Sequence, residues 1–259
     1  MKKINSKNET EKIIHFIQKI LKKTRMKNIV LGWSGGIDST VCLYLLAKAL
    51  PPEKIHVLHT PYHTSFLGEM RDVGDVRGLK IHEISIKKMV DTIWDTNSKF
   101  KAQNSKQIQN LNLENKIRMG NIMARVRMIM LFDFAKKING LVCGTENKTE
   151  HLLGYFTRYG DGASDIEPIQ HLFKTQIFEL ARYLGVPKNI IEKKPSANLW
   201  EGQTDEGEFG FSYEEADEVL GRIGDIGEMR GVREEKVKKI VERVRRNKFK
   251  QEVPYTLEI

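Results

Sequence analysis

Short apolar runs alternate with amphipathic segments along most of the chain. Four runs bounded by polar or turn residues have the length of buried strands, and they cover residues 28–33, 55–59, 81–86 and 140–145. Apolar residues that recur every three or four positions predict helices over about 11–22, 39–50, 113–137, 174–184, 213–221 and 233–246. Alternating strands and helices indicate an α/β fold, a doubly wound parallel sheet with helices on both faces and a helical C-terminal extension.

The segments between these elements carry weaker patterns. Residues 70–77 are predicted to contain a helix-like piece, and the stretch 97–112, rich in Asn, Gln, Ser and Lys, is interpreted as a mobile loop or linker. The glycine-punctuated stretch 192–211 is interpreted as irregular, and Asn8 or Thr10 is expected to cap the first helix. The chain contains no internal repeat, so we expect one domain over residues 1–259.

Composition narrows the class of protein. Hydrophobic residues make up 40% of the 259 positions and charged residues 30%, which suits a globular domain with a real core. The longest apolar run, Val41–Ala47, is far shorter than the ~20 residues that span a bilayer, and the N-terminus lacks the apolar stretch of a secretory signal. Two cysteines, Cys42 and Cys143, do not suggest a disulfide framework, so we expect a cytoplasmic protein.

The net charge of +9 is concentrated at the two ends of the chain. Residues 1–27 and 230–250 each carry a net charge of +7, and the remainder carries −5. Basic patches are typical of nucleic-acid binders, but each of these segments also has an apolar stripe at helical spacing. We therefore interpret them as the solvated faces of amphipathic helices, and we expect neither a nucleic acid nor a membrane as partner.

The segment Gly32–Ser39 lies where the first strand gives way to a helix, and it reads Gly-Trp-Ser-Gly-Gly-Ile-Asp-Ser. Glycines let the backbone turn with its N–H groups facing one point, and the helix N-terminus adds partial positive charge, so the segment could receive phosphate oxygens. Asp38 would repel a bare phosphate, which makes sense if a divalent cation lies between them. The alternative is a plain strand–helix turn in which Asp38 caps the helix.

This turn resembles the PP-loop of the ATP pyrophosphatases and has the spacing of neither G-x-x-x-x-G-K-[ST] nor G-x-G-x-x-G. Enzymes of that superfamily split ATP between the α and β phosphates and adenylate a substrate oxygen. Further blocks follow in the order Asn121–Met128, Leu141–Glu150, Tyr155–Asp165, Lys174 and Pro195–Glu206. In this combination, the sequence from about residue 27 to 210 resembles the ammonia-dependent NAD synthetase family, which implies the PP-loop fold.

The resemblance implies a reaction and a cofactor. ATP, as co-substrate, would adenylate the nicotinate carboxylate of deamido-NAD, and ammonia would displace AMP to give NAD, AMP and pyrophosphate. A carboxylate is a poor acyl donor, and its mixed anhydride with AMP supplies a good leaving group. The family pattern also implies Mg²⁺, with Asp38 and Glu150 as its ligands.

Further site residues are implied by their positions in the family's motifs. ATP would be bound by Gly32, Ser34, Gly35, Gly36, Ile37, Asp38, Ser39, Arg127, Thr145, Lys174 and Ser196. Deamido-NAD would be bound by Asn121, Arg125, Tyr155, Arg158, Asp161, Asp165 and Lys250, with Tyr155 able to stack on the pyridine ring. Asp38, Lys174 and Asp161 would be catalytic: Lys174 would neutralise charge on the α-phosphate, and Asp161 would steer ammonium or accept its proton. The family usually has His-Lys before a C-terminal proline, where this chain has Phe249-Lys250.

Ordinary structural explanations remain for each of these residues. Arg125 and Arg127 could be surface arginines of a helix, and Glu150 could cap a helix or pair with Lys148. Asp161 and Asp165 could serve backbone hydrogen bonds in a glycine-rich turn. Basic ends and a PP-loop would also suit a tRNA-modifying enzyme, although the chain has no Cys-x-x-Cys, and a nucleotide sensor without catalysis is a third interpretation.

Free ammonia is predicted as the direct nitrogen donor. Only about 27 residues precede the phosphate-loop strand, so we expect no glutaminase domain like that of the glutamine-dependent relatives. The resemblance also implies a homodimer with dinucleotide sites at its interface. An apolar stripe in the long helix fits that interface as well as it fits the core, and it consists of Met119, Ile122, Met123, Val126, Met130 and Phe134.

Overall fold

A central sheet of four parallel strands organises the molecule, as the alternating pattern predicts. The computed structural model describes residues 3–63, 78–79, 81–97, 111–196, 202–222, 232–252 and 254–257. The strands lie in the order β3–β2–β1–β4, and their bounds are β1 (Asn28–Gly32), β2 (Ile55–His59), β3 (Ile81–Glu83) and β4 (Gly140–Cys143). In the register of the sheet, Ile29 pairs with Ile55 on one side and with Leu141 on the other.

Helices surround this sheet and form the C-terminal region. They are α1 (Ser6–Thr24), α2 (Ile37–Ala49), α3 (Lys87–Asn97), α4 (Leu111–Lys137), α5 (Lys148–Leu153), α6 (Lys174–Leu184), α7 (Lys188–Ile191), α8 (Asp205–Phe209), α9 (Tyr213–Leu220) and α10 (Glu234–Asn247). Short 3₁₀ turns lie at Pro52–Lys54 and Lys248–Lys250. No helix in the described parts of the chain has the length and apolar character needed to cross a membrane.

Both faces of the sheet are buried because successive side chains of a strand point to opposite sides. Ile29 and Leu31 pack into the main core with α1, α2 and α6, whereas Val30, between them, packs with Ala135 of α4 on the other face. Each fully buried aliphatic side chain contributes roughly 1.5–3 kcal/mol relative to an exposed one. The sheet is therefore doubly wound, as predicted.

The C-terminal extension has an apolar core of its own. Leu153 of α5, Phe209 of α8, Tyr213 of α9 and Ile240 of α10 are all buried in one cluster. The amphipathic pattern of α10 explains its place there, because its apolar stripe faces this cluster while most of its basic residues lie on the other side. Arg243 is an exception, since it is partly buried with its guanidinium 4.5 Å from the ring centre of Phe209. Helices α9 and α10 both contact α5, which follows β4, and α9 also contacts α6.

The structure corrects several predicted boundaries. Asn5 caps α1 by accepting a hydrogen bond from the backbone N–H of Asn8 (3.1 Å), so the predicted caps Asn8 and Thr10 were wrong. The Thr10 hydroxyl lies inside the helix and donates to the carbonyl of Ser6 (2.7 Å). Strand β3 ends at Glu83, earlier than predicted, because the following residues lead into α3.

Four helices, α3, α5, α7 and α8, were not predicted at all. Helix α3 was missed although Val90 is buried against α4, and α8 interrupts the stretch that was interpreted as irregular. Residues 111–112, interpreted as part of a loop, belong to the start of α4. The remainder of that predicted loop beyond Asn97, and the helix-like piece at 70–77, lie outside the described residues.

Candidate nucleotide and dinucleotide site

The turn after β1 has the conformation that its glycines predict. Gly35 adopts a positive φ of 76°, a region that side chains rarely enter, and Gly36 is the N-cap of α2. The Ser34 hydroxyl lies 3.0 Å from the Ser39 hydroxyl and accepts a hydrogen bond from the backbone N–H of Gly36 (3.2 Å). The turn is thus held by its own serines, with Ser34 exposed to solvent.

The N-terminus of α2 faces this turn without a side-chain cap among the described residues. The first turn of a helix has backbone N–H groups with no partner inside the helix, and the helix dipole makes that end partly positive. Asp38 lies in this first turn but does not cap it, because Gly36 occupies the N-cap position. The plain-turn interpretation of Asp38 as a cap was therefore wrong, and the helix end remains able to bind an anion.

Asp38, Glu150 and Lys174, which we call the phosphate-turn triad, meet beside this helix end. The Lys174 ammonium donates to Oδ2 of Asp38 (2.6 Å) and to Oε1 of Glu150 (2.9 Å). The Lys174 side chain is only 2% exposed, whereas the two carboxylates are each 16% exposed. The carboxylates therefore face both the buried ammonium and the solvent side of the turn.

Burial and neighbouring charges together determine the pKa values of the triad. Burial alone would lower the pKa of Lys174, but the adjacent carboxylates of Asp38 and Glu150 raise it, so the ammonium stays protonated. Burial raises the pKa of the Glu150 carboxyl; Lys174 opposes this effect, while Asp38 adds to it. Two carboxyl groups and one ammonium thus lie next to a helix N-terminus, and a divalent cation bound there together with phosphate would favour the ionised form of both carboxyl groups.

Two residues without a sequence-predicted role complete the surroundings of the triad. Asn147 caps α5 by accepting from the N–H of Glu150 (3.0 Å), and its amide donates to Oδ1 of Asp38 (2.9 Å). Tyr213 lies under the Lys174 ammonium, with 4.9 Å between that nitrogen and its ring centre, and its hydroxyl donates to Asp205 (2.8 Å). The Asn-x-x-Glu spacing at 147–150 was a readable capping signal, but the contact to Asp38 joins residues distant in sequence.

The other predicted ATP residues lie along the same edge of the sheet or near it. Gly32 ends β1, and Thr145 follows the neighbouring strand β4, half-buried. Arg127 projects from α4, and its Nε donates to the carbonyl of Thr60, which follows β2 (3.1 Å), so it is not a free surface arginine. Ser196 is the last residue before a gap in the described chain.

Most residues predicted for deamido-NAD gather around the turn 157–162. Asn121 of α4 accepts from the Thr157 hydroxyl (2.7 Å), and Arg125, one helical turn later, donates to the carbonyl of Arg158 (3.3 Å). Asp161 accepts from the Thr157 N–H (3.0 Å). Helix α4 and the turn are thereby joined through one face of the helix, on which Asn121 and Arg125 both lie because they are four residues apart.

Lys250, Asp165 and Tyr155 have other surroundings. Lys250 donates to the carbonyls of Gly154 (2.7 Å) and Phe156 (2.8 Å), so it is connected to the same turn through the backbone. Asp165 accepts from the N–H of Val142 in β4 (2.8 Å), which is the structural role considered for it above. Tyr155 lies apart from the turn, and its hydroxyl donates to Asp205 (3.0 Å) and Glu208 (3.1 Å), two residues that the sequence analysis did not select.

The chain matches the family model described as NAD synthase over residues 9–254. The NH(3)-dependent NAD(+) synthetase of Thermoplasma volcanium is 42% identical over 252 residues, which cover 96% of this chain and 96% of the relative. The NH(3)-dependent NAD(+) synthetase of Pyrococcus furiosus is 41% identical, and the match covers 94% of this chain and 93% of the relative.

Solved structures of similar proteins have the same fold. The structure of NMN synthetase from Francisella tularensis matches with a TM-score of 0.85 at 32% identity and covers 99% of this chain and 100% of that one. The NH3-dependent NAD synthetase from Campylobacter jejuni, solved with nitrate, matches with a TM-score of 0.79 at 31% identity, covering 98% and 100%.

Proposed function

The chain belongs to the NAD synthase family, and we propose that it is an ammonia-dependent NAD synthetase that uses the phosphate turn for ATP. In this reaction, ATP adenylates the nicotinate carboxylate of deamido-NAD, and ammonia then displaces AMP. The products are NAD, AMP and pyrophosphate. Similarity to ammonia-dependent relatives over nearly the whole chain supports the nitrogen source.

One observation carries the assignment of the ATP site. The N-terminus of α2, which no side chain caps in the described chain, lies beside Asp38, Glu150 and the buried ammonium of Lys174. Backbone N–H groups of that helix end suit phosphate oxygens, and Lys174 suits the charge that develops on the α-phosphate. We infer that Gly32, Ser34–Ser39, Thr145, Lys174, Arg127 and Ser196 form the ATP site.

Mg²⁺ fits the same place by the chemistry of its donors. Magnesium is commonly held by one or two carboxylates together with substrate phosphates, and Asp38 and Glu150 offer two partly exposed carboxylates. Among the described residues, no group of three or more acidic, histidine or cysteine side chains could hold a metal, so phosphate oxygens would complete the coordination. The ion would neutralise phosphate charge during adenylation.

Each step of the proposed reaction requires particular groups of the protein. A nicotinate oxygen attacks the α-phosphorus as the bond to pyrophosphate breaks; ammonia then attacks the carboxyl carbon, and AMP leaves with the bonding electrons. Helix α2 holds the leaving pyrophosphate, and Lys174 balances charge on the attacked phosphate. The ammonia nitrogen must lose a proton, and we assign Asp161, at the turn that Asn121 contacts through Thr157, to guide ammonium or accept that proton.

We infer that deamido-NAD binds along the turn 157–162 and α4. The residues assigned to this site are Asn121, Arg125, Tyr155, Arg158, Asp161, Asp165 and Lys250. The hydrogen bonds that join α4 to this turn support the proposal, because a long dinucleotide needs donors held in fixed positions. The role of Asp165 is indirect in this proposal, since its carboxylate is already bonded to β4.

Product analysis with the purified chain tests the proposed reaction. We expect AMP and NAD to form only when ATP, Mg²⁺, deamido-NAD and ammonia are all present, and ATP–pyrophosphate exchange to require deamido-NAD. Replacement of ammonia by glutamine should lower the rate to background. AMP formation that needs tRNA instead of deamido-NAD, or ATP binding without turnover, would favour the modifying-enzyme or the sensor interpretation.

Nicotinate mononucleotide should be tested as a second substrate, since one matching structure is called an NMN synthetase. We expect deamido-NAD to be preferred over nicotinate mononucleotide because the adenylate half would gain contacts that the mononucleotide lacks. The comparison of kcat/KM for the two substrates measures this preference. A ratio below one would reassign the acceptor while leaving adenylation and amidation intact.

We also propose a homodimer. The apolar stripe predicted for this role packs largely inward, because Met123 and Val126 are buried against α3. Other apolar residues stay exposed on the same two helices, including Met89 (39%), Ile117 (43%) and Ile129 (59%). Light scattering at micromolar concentration should give twice the monomer mass, and Ile129→Asp should lower it; a monomeric wild-type chain would contradict the proposal.

The location remains the one expected from the sequence. We propose that the enzyme works in the cytoplasm, where its two buried cysteines would stay reduced. Cell fractionation followed by the activity assay tests this, and activity in a membrane or secreted fraction would contradict it.

A further inference from the structure

Helix α6, which carries Lys174, donates hydrogen bonds from its first backbone N–H groups to side chains of other helices. The residue before it is Phe173, whose side chain has no hydrogen-bond acceptor. Instead, the backbone N–H of Lys174 donates to the hydroxyl of Thr149 in α5 (2.9 Å), and that of Thr175 donates to Oδ2 of Asp217 in α9 (2.8 Å). The first turn of α6 is therefore fixed by side chains of two other helices.

The same Asp217 carboxylate also holds α5. Its other oxygen, Oδ1, accepts a hydrogen bond from the Thr149 hydroxyl. Asp217 and Thr149 are both 0% exposed, so water does not compete for these bonds. Asp217 thus ties α5 to α6 from a helix that contributes no residue to the phosphate-turn triad.

The two threonines are direct neighbours of triad residues. Thr149 precedes Glu150, and Thr175 follows Lys174. The carboxylate therefore holds the hydroxyl of Thr149 and the backbone N–H of Thr175, each next to one partner of the 2.9 Å Lys174–Glu150 pair. A shift of α5 against α6 would change where the ammonium and the carboxylate stand relative to the phosphates. Misplacements of about 1 Å can lower a rate by about 10²-fold.

Packing alone does not explain an aspartate at this position. Helix α9 is already buried through Ala216, Val219 and Leu220, which belong to the apolar cluster of the C-terminal extension. The donors to Asp217 are uncharged, and a carboxylate buried with uncharged donors is costly to desolvate, so burial raises its pKa. An apolar residue would serve packing at lower cost, and the hydrogen bonds to two flanks of the triad supply the reason for a carboxylate.

We propose that Asp217 is a positioning residue for ATP and Mg²⁺, acting through Thr149 and Thr175 on Glu150 and Lys174. This inference rests on the proposed function, because it assigns ATP to the triad. The residue itself touches neither substrate, and its effect is to hold the carboxylate and the ammonium at a fixed separation.

The test compares Asp217→Asn and Thr149→Val with two controls. Thr149→Ser keeps the hydroxyl, and Glu214→Gln removes an exposed carboxylate from the same helix α9. For each purified variant we would measure kcat and KM for ATP, ATP affinity by calorimetry with and without Mg²⁺, and the folded fraction by circular dichroism. The activity is expressed per folded molecule.

We expect Asp217→Asn and Thr149→Val to lower kcat by about 10–100-fold and to weaken ATP binding only when Mg²⁺ is present. Thr149→Ser and Glu214→Gln should behave as wild type. The double variant of Asp217→Asn and Thr149→Val should lose no more than the worse single variant, because both remove one shared interaction.

Three results would overturn the inference. The first is a Thr149→Val variant with the kcat of wild type per folded molecule. The second is a double variant whose loss in kcat equals the product of the two single losses. The third is a weakening of ATP binding that is equal with and without Mg²⁺. If Asp217→Asn does not fold, the Thr149→Val and Thr149→Ser pair decides alone. A wild-type chain that forms no AMP would instead refute the proposed function, and the Mg²⁺-dependent ATP affinities would still test the positioning role.

Discussion

Two groups of carboxylates flank the segment after β4, and they are built in different ways. The phosphate-turn triad places Asp38 and Glu150 around the buried ammonium of Lys174. The second group, which we call the β4 acid cluster, consists of Glu146, Glu167, His151, Gln170 and Ser164. In the β4 acid cluster, Glu146 accepts from His151 (3.0 Å) and Gln170 (2.8 Å), and Glu167 accepts from Ser164 (2.7 Å) and the N–H of Glu146 (3.1 Å).

The difference lies in what balances the negative charge. In the triad, the buried ammonium of Lys174 balances both carboxylates as a point charge, and each carboxylate keeps a partly exposed side where a second cation could bind. The bonds of the β4 acid cluster come from a backbone N–H, a hydroxyl, an amide and an imidazole, which hold Glu167 by both carboxylate oxygens and Glu146 by Oε2. We therefore expect the triad to determine turnover and the β4 acid cluster to determine stability.

The largest effect should come from Asp38→Ala. We expect turnover to fall by at least about 10²–10³-fold, because the change removes charge where phosphate and metal would bind. The fold should survive, since the side chain is partly exposed. Steady-state AMP formation measures the loss, circular dichroism controls for folding, and unchanged Mg²⁺-dependent turnover would contradict the role given to the triad.

Lys174→Met should affect stability as well as turnover. Removal of one partner from a buried ionic group leaves uncompensated charge, so we expect a loss of about 3–5 kcal/mol in the free energy of unfolding. Mg²⁺ should recover part of this loss by replacing the missing positive charge. Urea denaturation with and without Mg²⁺ measures both effects, with the exposed Lys188→Met as control. A Lys174→Met variant as stable as wild type would show that the ammonium does not balance the carboxylates of the triad, and would contradict the difference drawn between the triad and the β4 acid cluster.

Glu167→Gln should leave turnover within a few-fold but change how stability depends on pH. Burial, opposed by the Ser164 bond, raises the pKa of Glu167 to about 7. The folded state then holds more protons than the unfolded state between about pH 5 and 7, so wild-type stability falls as the pH rises through this range. Urea unfolding at about pH 5 and pH 7 measures this fall in the free energy of unfolding. We expect the fall to be smaller by about 1–2 kcal/mol in the variant. An identical pH dependence in both proteins would contradict the prediction.

The smallest effect concerns His151. Its hydrogen bond to Glu146 raises the pKa of the imidazole above its ordinary value, although burial opposes the change. The stabilisation is present below the ordinary pKa and is lost as the pH rises through the raised one; because 33% of the side chain is exposed, we expect less than about 1 kcal/mol. Glu146→Gln should lower the pKa of His151 in an NMR titration, and an unchanged titration would show that the bond does not form in solution.

The sheet and the phosphate turn were largely predictable because their signals are local. The bounds of β2 and α6 are those predicted, since a short apolar run and a strong apolar stripe each end at a clear turn signal. The glycines of the turn were readable because only glycine adopts the positive φ of Gly35 without strain. Helix α3 was missed because it buries only Val90, so its pattern is weak.

The residues of the candidate site were predictable only where they lie in a recognisable sequence motif. Asp38, Glu150 and Lys174 were selected from three separate blocks, and the structure brings them together. Asn147, Tyr213 and Asp217 were not given roles. The contacts that give them a place at the site span 109 positions for Asn147–Asp38, 68 for Asp217–Thr149 and 39 for Tyr213–Lys174, and no local pattern encodes such contacts.

The sequence by itself determined the alternation of strands and helices, the glycine turn after β1 and the family to which the chain is similar. These features depend on backbone sterics and on apolar periodicity, which act over a few residues. Only the tertiary structure decided which carboxylates share an ammonium, which are held by neutral donors and which one joins α5 to α6. Burial and charge balance depend on atoms that distant segments bring into contact, and their energies arise only when those segments pack.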